Sequence, residues 1–171
     1  MTAILILGVD PGLNRCGWGL IVSEGSRLSH VAHGVIKPPQ QQQLASRLHD
    51  LFEGLSAVIE QYQPTEAAVE ETFVNSNARA ALALGQARGV ALAAAARRGL
   101  AVAEYAPTTI KKAVVGSGAA DKNQVAFMVQ RLLPAAGPVT ADAADALGIA
   151  LCHAAHGGFR RRAGAWGTHR H

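Results

Sequence analysis

Four carboxylates sit in settings where a carboxylate is costly. Asp10 closes the run AILILGVD (residues 3–10), whose other members are apolar or glycine, and Glu70 closes a second apolar run, AAVE, with Glu71 directly after it. Asp142 and Asp145 lie three apart in ADAADALGIAL (141–151), which otherwise reads as the packing surface of a helix; residues at that spacing share a helix face. Acids in such places lose hydration and repel one another. A divalent cation would relieve both costs, and a ligand set made only of oxygen favours Mg²⁺ or Mn²⁺ over zinc. Two such ions a few ångströms apart can clamp the attacking and leaving oxygens of a phosphodiester. Spacing alone leaves plainer roles open: Asp142 as a helix N-terminal acid complementing the dipole, and Asp145 as the partner of a nearby lysine.

Other chemistries find less support. There is no Walker A pattern and no GxGxxG after a strand. Gly8 and Gly12 beside Asp10 faintly resemble the phosphate-binding turn of sugar kinases and actin-like ATPases, but that architecture needs two lobes and 171 residues supply one. His153 and His156 are three apart, yet no cysteine or acid at a convincing spacing completes a tetrahedral zinc set. No local signature pairs a serine or cysteine nucleophile with a histidine base.

The elements that must position the acids can be read from hydropathy. The run at 3–10 suits a central strand buried on both faces. Cys16 to Ser23 and Leu28 to Ile36 read as two more strands, turned at Glu24-Gly25-Ser26, so the first three strands form an antiparallel meander. Apolar residues from Leu44 to Tyr62 recur at helical spacing up to Pro64. Ala67 to Phe73 is a fourth strand. A long helix capped by Ser76 or Asn77 runs to Arg98 and is closed by Gly99. Leu100 to Tyr105 is a fifth strand. Helices near Pro107 to Val115, Asp121 to Leu133 and Thr140 to Ala155 complete the chain. Strands mixed with helices predict an α/β fold.

Composition bounds the rest. With 49% hydrophobic and 16% charged residues the chain can build a core, which excludes global disorder. The most apolar long stretch, residues 80–96, is interrupted by Gln86 and Arg88, so no membrane span is expected. The N-terminus lacks a secretory pattern, and Cys16 and Cys152 read as buried thiols; both features predict a cytoplasmic protein. The net charge of +4 is uneven: residues 1–156 hold 12 basic and 12 acidic residues, while 157–171 add Arg160, Arg161, Arg162 and Arg170 and no acid. The sequence therefore predicts one folded domain over 1–156 and a disordered Gly/Arg-rich basic tail over 157–171, suited to a polyanion.

Taken together, GVDPGLNRCGWGLI (8–21), AAVEETFVNSNARAALALGQARGVA (67–91), VVGSGAADKNQV (114–125) and ADAADALGIALCH (141–153) closely resemble the RuvC family of bacterial Holliday junction resolvases. The resemblance covers nearly all of residues 3–156. It implies a ribonuclease H-like fold, with a five-stranded mixed sheet flanked by helices. It implies a homodimer that cuts two strands of a four-way DNA junction symmetrically, in recombination and repair. It further implies two Mg²⁺ ions per subunit, replaceable by Mn²⁺, and cooperation with a branch-migration motor complex of the RuvA and RuvB type. By position, Asp10, Glu70, Asp142 and Asp145 match the family's metal ligands and catalytic acids. Lys111 and Lys122 match basic residues associated with the junction or its phosphates, and Phe73 matches an aromatic residue that contacts bases near the crossover. Glu71 departs from many relatives, and the tail has no counterpart.

That reading also answers why a formally neutral body would bind DNA. Two divalent ions cancel the four site acids, leaving Lys111, Lys112, Lys122 and Arg131 as uncompensated positive charge. Two rival functions are a junction-binding module without turnover and a nuclease of the same fold acting on RNA or RNA–DNA hybrids. Retention of all four acids argues against the first, and the match across 67–91 against the second.

Overall fold

The computed structural model describes residues 2–72 and 76–167, with side chains given to Gly157. Five strands, β1 (Ile4–Asp10), β2 (Cys16–Glu24), β3 (Arg27–Ile36), β4 (Glu66–Glu70) and β5 (Ala101–Tyr105), form one sheet in the order β3-β2-β1-β4-β5. The β1/β2 and β2/β3 pairs are antiparallel, and β1/β4 and β4/β5 are parallel. The mixed sheet with an antiparallel opening is the predicted one. Helices α1 (Leu44–Tyr62), α2 (Ala78–Arg97), α3 (Pro107–Val115), α4 (Lys122–Leu132) and α5 (Ala141–Gly167) flank it. The last two strands are parallel to β1 because a helix carries the chain back each time.

The helices divide the core in two. Ile6, Ile21 and Ala68 face α3, α4 and α5, packing with Ile110, Val129, Leu147 and Cys152. Leu7, Leu20 and Val69 face α1 and α2, packing with Leu51, Leu55, Ala87 and Ala94. Side chains alternate along a strand, so β1 sends Ile6, Gly8 and Asp10 toward α5. Small residues let that helix sit very close. A Cβ on Gly8 would lie 2.1 Å from the Ala146 carbonyl oxygen, and one on Gly17 would lie 2.1 Å from that of Asp142. Gly17 pairs with Asp10 across β1/β2, so this close approach sets the first turn of α5 over the end of β1.

Local signals account for most boundaries. Asn77 caps α2 by accepting from the Ala80 N–H at 3.0 Å, and Asp121 with Gln124 forms a reciprocal capping box on α4. Pro107 opens α3, and Gly116 closes it at φ +92°, a conformation that favours glycine. Two bounds differ from the sequence expectation by more than one residue. The fourth strand ends at Glu70 rather than reaching Phe73, because the parallel partner β5 ends at Tyr105, which pairs with Glu70. The last helix does not stop near Ala155 but continues to Gly167. A short 3-10 turn, Pro134–Ala136, follows α4 where the sequence signals only a stop.

Both cysteines are buried and unbridged, as expected. His153, also buried, has both ring nitrogens engaged. Nε2 lies 2.5 Å from Glu66 Oε2 and Nδ1 lies 2.8 Å from the Tyr105 hydroxyl. A carboxylate only accepts, so Nε2–H donates to Glu66, while Nδ1 and the Tyr105 hydroxyl share the second hydrogen bond. This network ties α5 to β4 and β5. His156 Nδ1 lies 2.9 Å from the Cys152 carbonyl oxygen.

Candidate active site

Three elements deliver the four acids to one end of the sheet. Asp10 is the last residue of β1 and Glu70 the last of β4. The two strands are parallel neighbours in the register Val9↔Val69, so the next step along each places Asp10 beside Glu70. Parity settles which glutamate faces the site. Ala68 belongs to the α5-side core and Glu66 meets His153 of α5, so Glu70, two further along, projects to that side as well. Glu71 follows the strand and spends its N–H on the Tyr105 carbonyl oxygen at 2.9 Å. Asp142 and Asp145 stand in the first turns of α5.

These acids perturb one another. Burial, reinforced by Glu70 and then Asp145, pushes the Asp10 carboxyl up to about 8. Asp10 and Glu70 are hydrogen-bonded to each other and titrate as a pair, so they hold a proton between them. Glu70 is raised chiefly by burial, opposed by the Asp10 hydrogen bond and by Lys122 and Lys111. Asp145 is also raised by burial, with Lys122 opposing and Asp142 adding to the shift. Such mutual elevation marks a cluster that favours added positive charge.

The predicted lysines lie where those effects require. Lys122, the first residue of α4, has Nζ 3.8 Å from Asp145 Oδ2, on a side chain 84% exposed. Lys111, on α3, acts on Glu70 and Asp145 electrostatically. Phe73 lies outside the described residues. Sequence reasoning missed Arg15, whose Nε donates to Asp142 Oδ2 at 2.7 Å; its only sequence signal is its place in the short connection after Asp10.

The donor set fits a hard divalent cation: four carboxylates and no sulfur, with the proton affinity of Asp10, Glu70 and Asp145 raised. Among the described residues, no three His, Cys, Asp or Glu side chains are gathered tightly enough to hold an ion as they stand. Asp142 pairs with Arg15, Asp145 lies 3.8 Å from Lys122, and Asp10 and Glu70 share a hydrogen bond.

Comparison with known proteins decides the family. The model of the crossover junction endodeoxyribonuclease RuvC family matches residues 6–153. The chain belongs to the RuvC family. A RuvC from Caulobacter vibrioides is 61% identical over 149 residues, covering 87% of this chain and 88% of that protein. One from Hyphomonas neptunium is 55% identical over 164 residues, covering 96% and 98%. Among solved structures, Thermus thermophilus RuvC in complex with Holliday junction substrate superposes with a TM-score of 0.85 at 31% identity, covering 92% of this chain and 96% of that one. A yeast mitochondrial Holliday junction resolvase shares the fold at 14% identity, with a TM-score of 0.62. The ribonuclease H-like RuvC architecture expected from the sequence is therefore the observed one. No helix among the described residues is long and apolar enough to cross a membrane.

Proposed function

We propose that this RuvC family member is a metal-dependent endonuclease that resolves four-way DNA junctions by paired symmetric cuts, acting in recombination and repair in the cytoplasm. The observation that carries the mechanism is the convergence of Asp10, Glu70 and Asp145, each with its proton affinity raised, at the edge where Lys111 and Lys122 stand. Asp10, Glu70, Asp142 and Asp145 would hold Mg²⁺, two ions per subunit, with Mn²⁺ able to substitute. The bound cations supply Lewis-acid stabilisation of charge on the phosphate and acidify the attacking water.

The chain's own residues do the remainder. Asp10 must release the proton it shares with Glu70 before both can serve as ligands. Lys122 and Lys111 meet non-bridging phosphate oxygens and fix the strand in line for attack. Water attacks phosphorus, the P–O3′ bond breaks, and the products are a 5′ phosphate and a 3′ hydroxyl. No protein nucleophile is required, and the cysteines are poor candidates: burial pushes both thiols up to about 12.

Paired cuts call for a homodimer. The outward side of α2 supports one: Leu82 is 65% exposed, Leu84 is exposed, and a Cβ added at Gly85 or Gly89 would meet nothing. Phe73 is assigned to base contact near the crossover, residues 157–171 to nonspecific phosphate contact, and a RuvA and RuvB type motor to junction delivery.

The test is incubation with Mg²⁺ and equal amounts of four-way junction, linear duplex and RNA–DNA hybrid. Junction cleavage with symmetric, ligatable nicks is expected. Preference for the hybrid, or binding without cleavage, would overturn the assignment.

A further inference from the structure

The connection from Pro11 to Arg15 joins β1 to β2 beside Asp10, and it is braced from two sides. Gly12 packs against the Arg15 carbonyl so closely that a Cβ would lie 2.1 Å from that oxygen. From α1, the Arg47 guanidinium donates to the Leu13 carbonyl oxygen at 3.2 Å and to Asn14 Oδ1 at 2.5 Å. Arg15 is thus presented from a held backbone. Its side chain is half exposed and its Nε donates to Asp142 Oδ2, 127 residues away in sequence.

This pairing occupies an oxygen needed by a cation shared among the four acids. The Arg15 side chain is half exposed, so its guanidinium is open to a ligand from solvent. A guanidinium carries five N–H donors in a planar fork that suits phosphate as well as carboxylate. Lys122 holds Asp145 more loosely, at 3.8 Å on an almost fully exposed side chain, so Arg15 is the tighter of the two cationic partners of the α5 acids.

We propose that Arg15 alternates between Asp142 and a DNA phosphate. It neutralises Asp142 while the acids lack a cation, and it moves to a phosphodiester oxygen beside the cleavage point when Asp142 turns to a divalent cation. The proposal rests on the metal-dependent reading of the four acids. No covalent bond changes; one ion pair is exchanged for another. Arg15 therefore opposes cation loading in free protein. DNA offers the guanidinium a new partner, so DNA binding and cation binding reinforce each other, reciprocally. The site would load most readily where substrate is present.

The experiment uses the full chain. Mn²⁺ is titrated calorimetrically, without DNA, into wild type, Arg15→Gln and Arg15→Lys. Arg15→Gln should bind Mn²⁺ about two- to five-fold more tightly, the range an exposed ion pair supports, and Arg15→Lys should fall between. Junction binding is then followed over a salt series with Ca²⁺ or with EDTA. With Ca²⁺ the wild-type log–log slope should exceed that of Arg15→Gln by about one phosphate's worth, and with EDTA the slopes should agree. Equal or weaker Mn²⁺ binding by Arg15→Gln overturns the proposal, as does a slope difference that ignores the cation. If wild type itself takes up no Mn²⁺, the metal reading fails first, and that result is distinct from an unchanged Arg15 variant.

Discussion

Replacing Asp10 by asparagine should stabilise the cation-free protein in alkali while ending cleavage. In the unfolded chain Asp10 ionises near 3.8, whereas in the fold it holds its proton up to about 8. The folded state therefore binds more protons between those values. The resulting stability is full below about pH 4 and is lost as pH rises toward 8. At about 1.4 kcal/mol per tenfold change in proton affinity, the ceiling is about 6 kcal/mol. The proton is shared with Glu70, which titrates with it, and a buried unsatisfied polar group costs about 1–3 kcal/mol in practice, so about 2 kcal/mol is expected. Asparagine keeps a donor for Glu70 and does not titrate. In EDTA, Asp10→Asn should match wild type at pH 5 and exceed it by about 2 kcal/mol at pH 9. That corresponds to roughly 4–8 °C in Tm for a chain of this size. Mn²⁺ should raise the wild-type Tm and leave the variant's largely unchanged. Thermal unfolding at pH 5, 7 and 9 with parallel cleavage assays decides it. A difference that is constant with pH, or a variant less stable at pH 9, would refute the reasoning.

Further outcomes follow from the same geometry. Glu70→Gln should lower the cleavage rate by about 100-fold or more while Glu71→Gln stays near wild type, since loss of a ligand exceeds the roughly 10–100-fold cost of losing its supporting partner; single-turnover junction cleavage reads this out. Gly17→Ala should destabilise by about 3 kcal/mol and reduce activity, because the new Cβ would push the Asp142 carbonyl, and α5 with it, off the sheet; urea unfolding and cleavage rates test both. Leu82→Glu should yield monomer in sedimentation experiments and uncoordinated single nicks, from a side chain 65% exposed in the isolated subunit. Deleting residues 157–171 should weaken junction and duplex binding alike and flatten the salt dependence by about one unit for each phosphate no longer neutralised, leaving junction preference intact; binding to both DNAs across a salt series measures it.

Much of the molecule is legible in the chain because its signals are local. The Glu24-Gly25-Ser26 turn separates β2 from β3, Pro107 and Gly116 bracket α3, and Asn77 and Asp121 announce α2 and α4. The four acids stand out because charged residues interrupt otherwise apolar elements. Tertiary structure decided the rest. The end of β4 at Glu70 follows from where its neighbour β5 stops. That Glu70, already singled out by the family resemblance, projects to the α5 side follows from the face of the sheet that α5 covers. The Asp10 carboxyl is pushed up first by its burial in the closed fold and then by Glu70 and Asp145, which arrive from other elements. Arg15 meets Asp142 only because glycines at 8 and 17 admit the first turns of α5 against β1 and β2. Residue type and spacing set which groups can ionise, coordinate or pack, since those are properties of each side chain and its near neighbours. Which charges face one another depends on burial and register between segments as much as 127 residues apart, and those exist only once the sheet and its helices have closed.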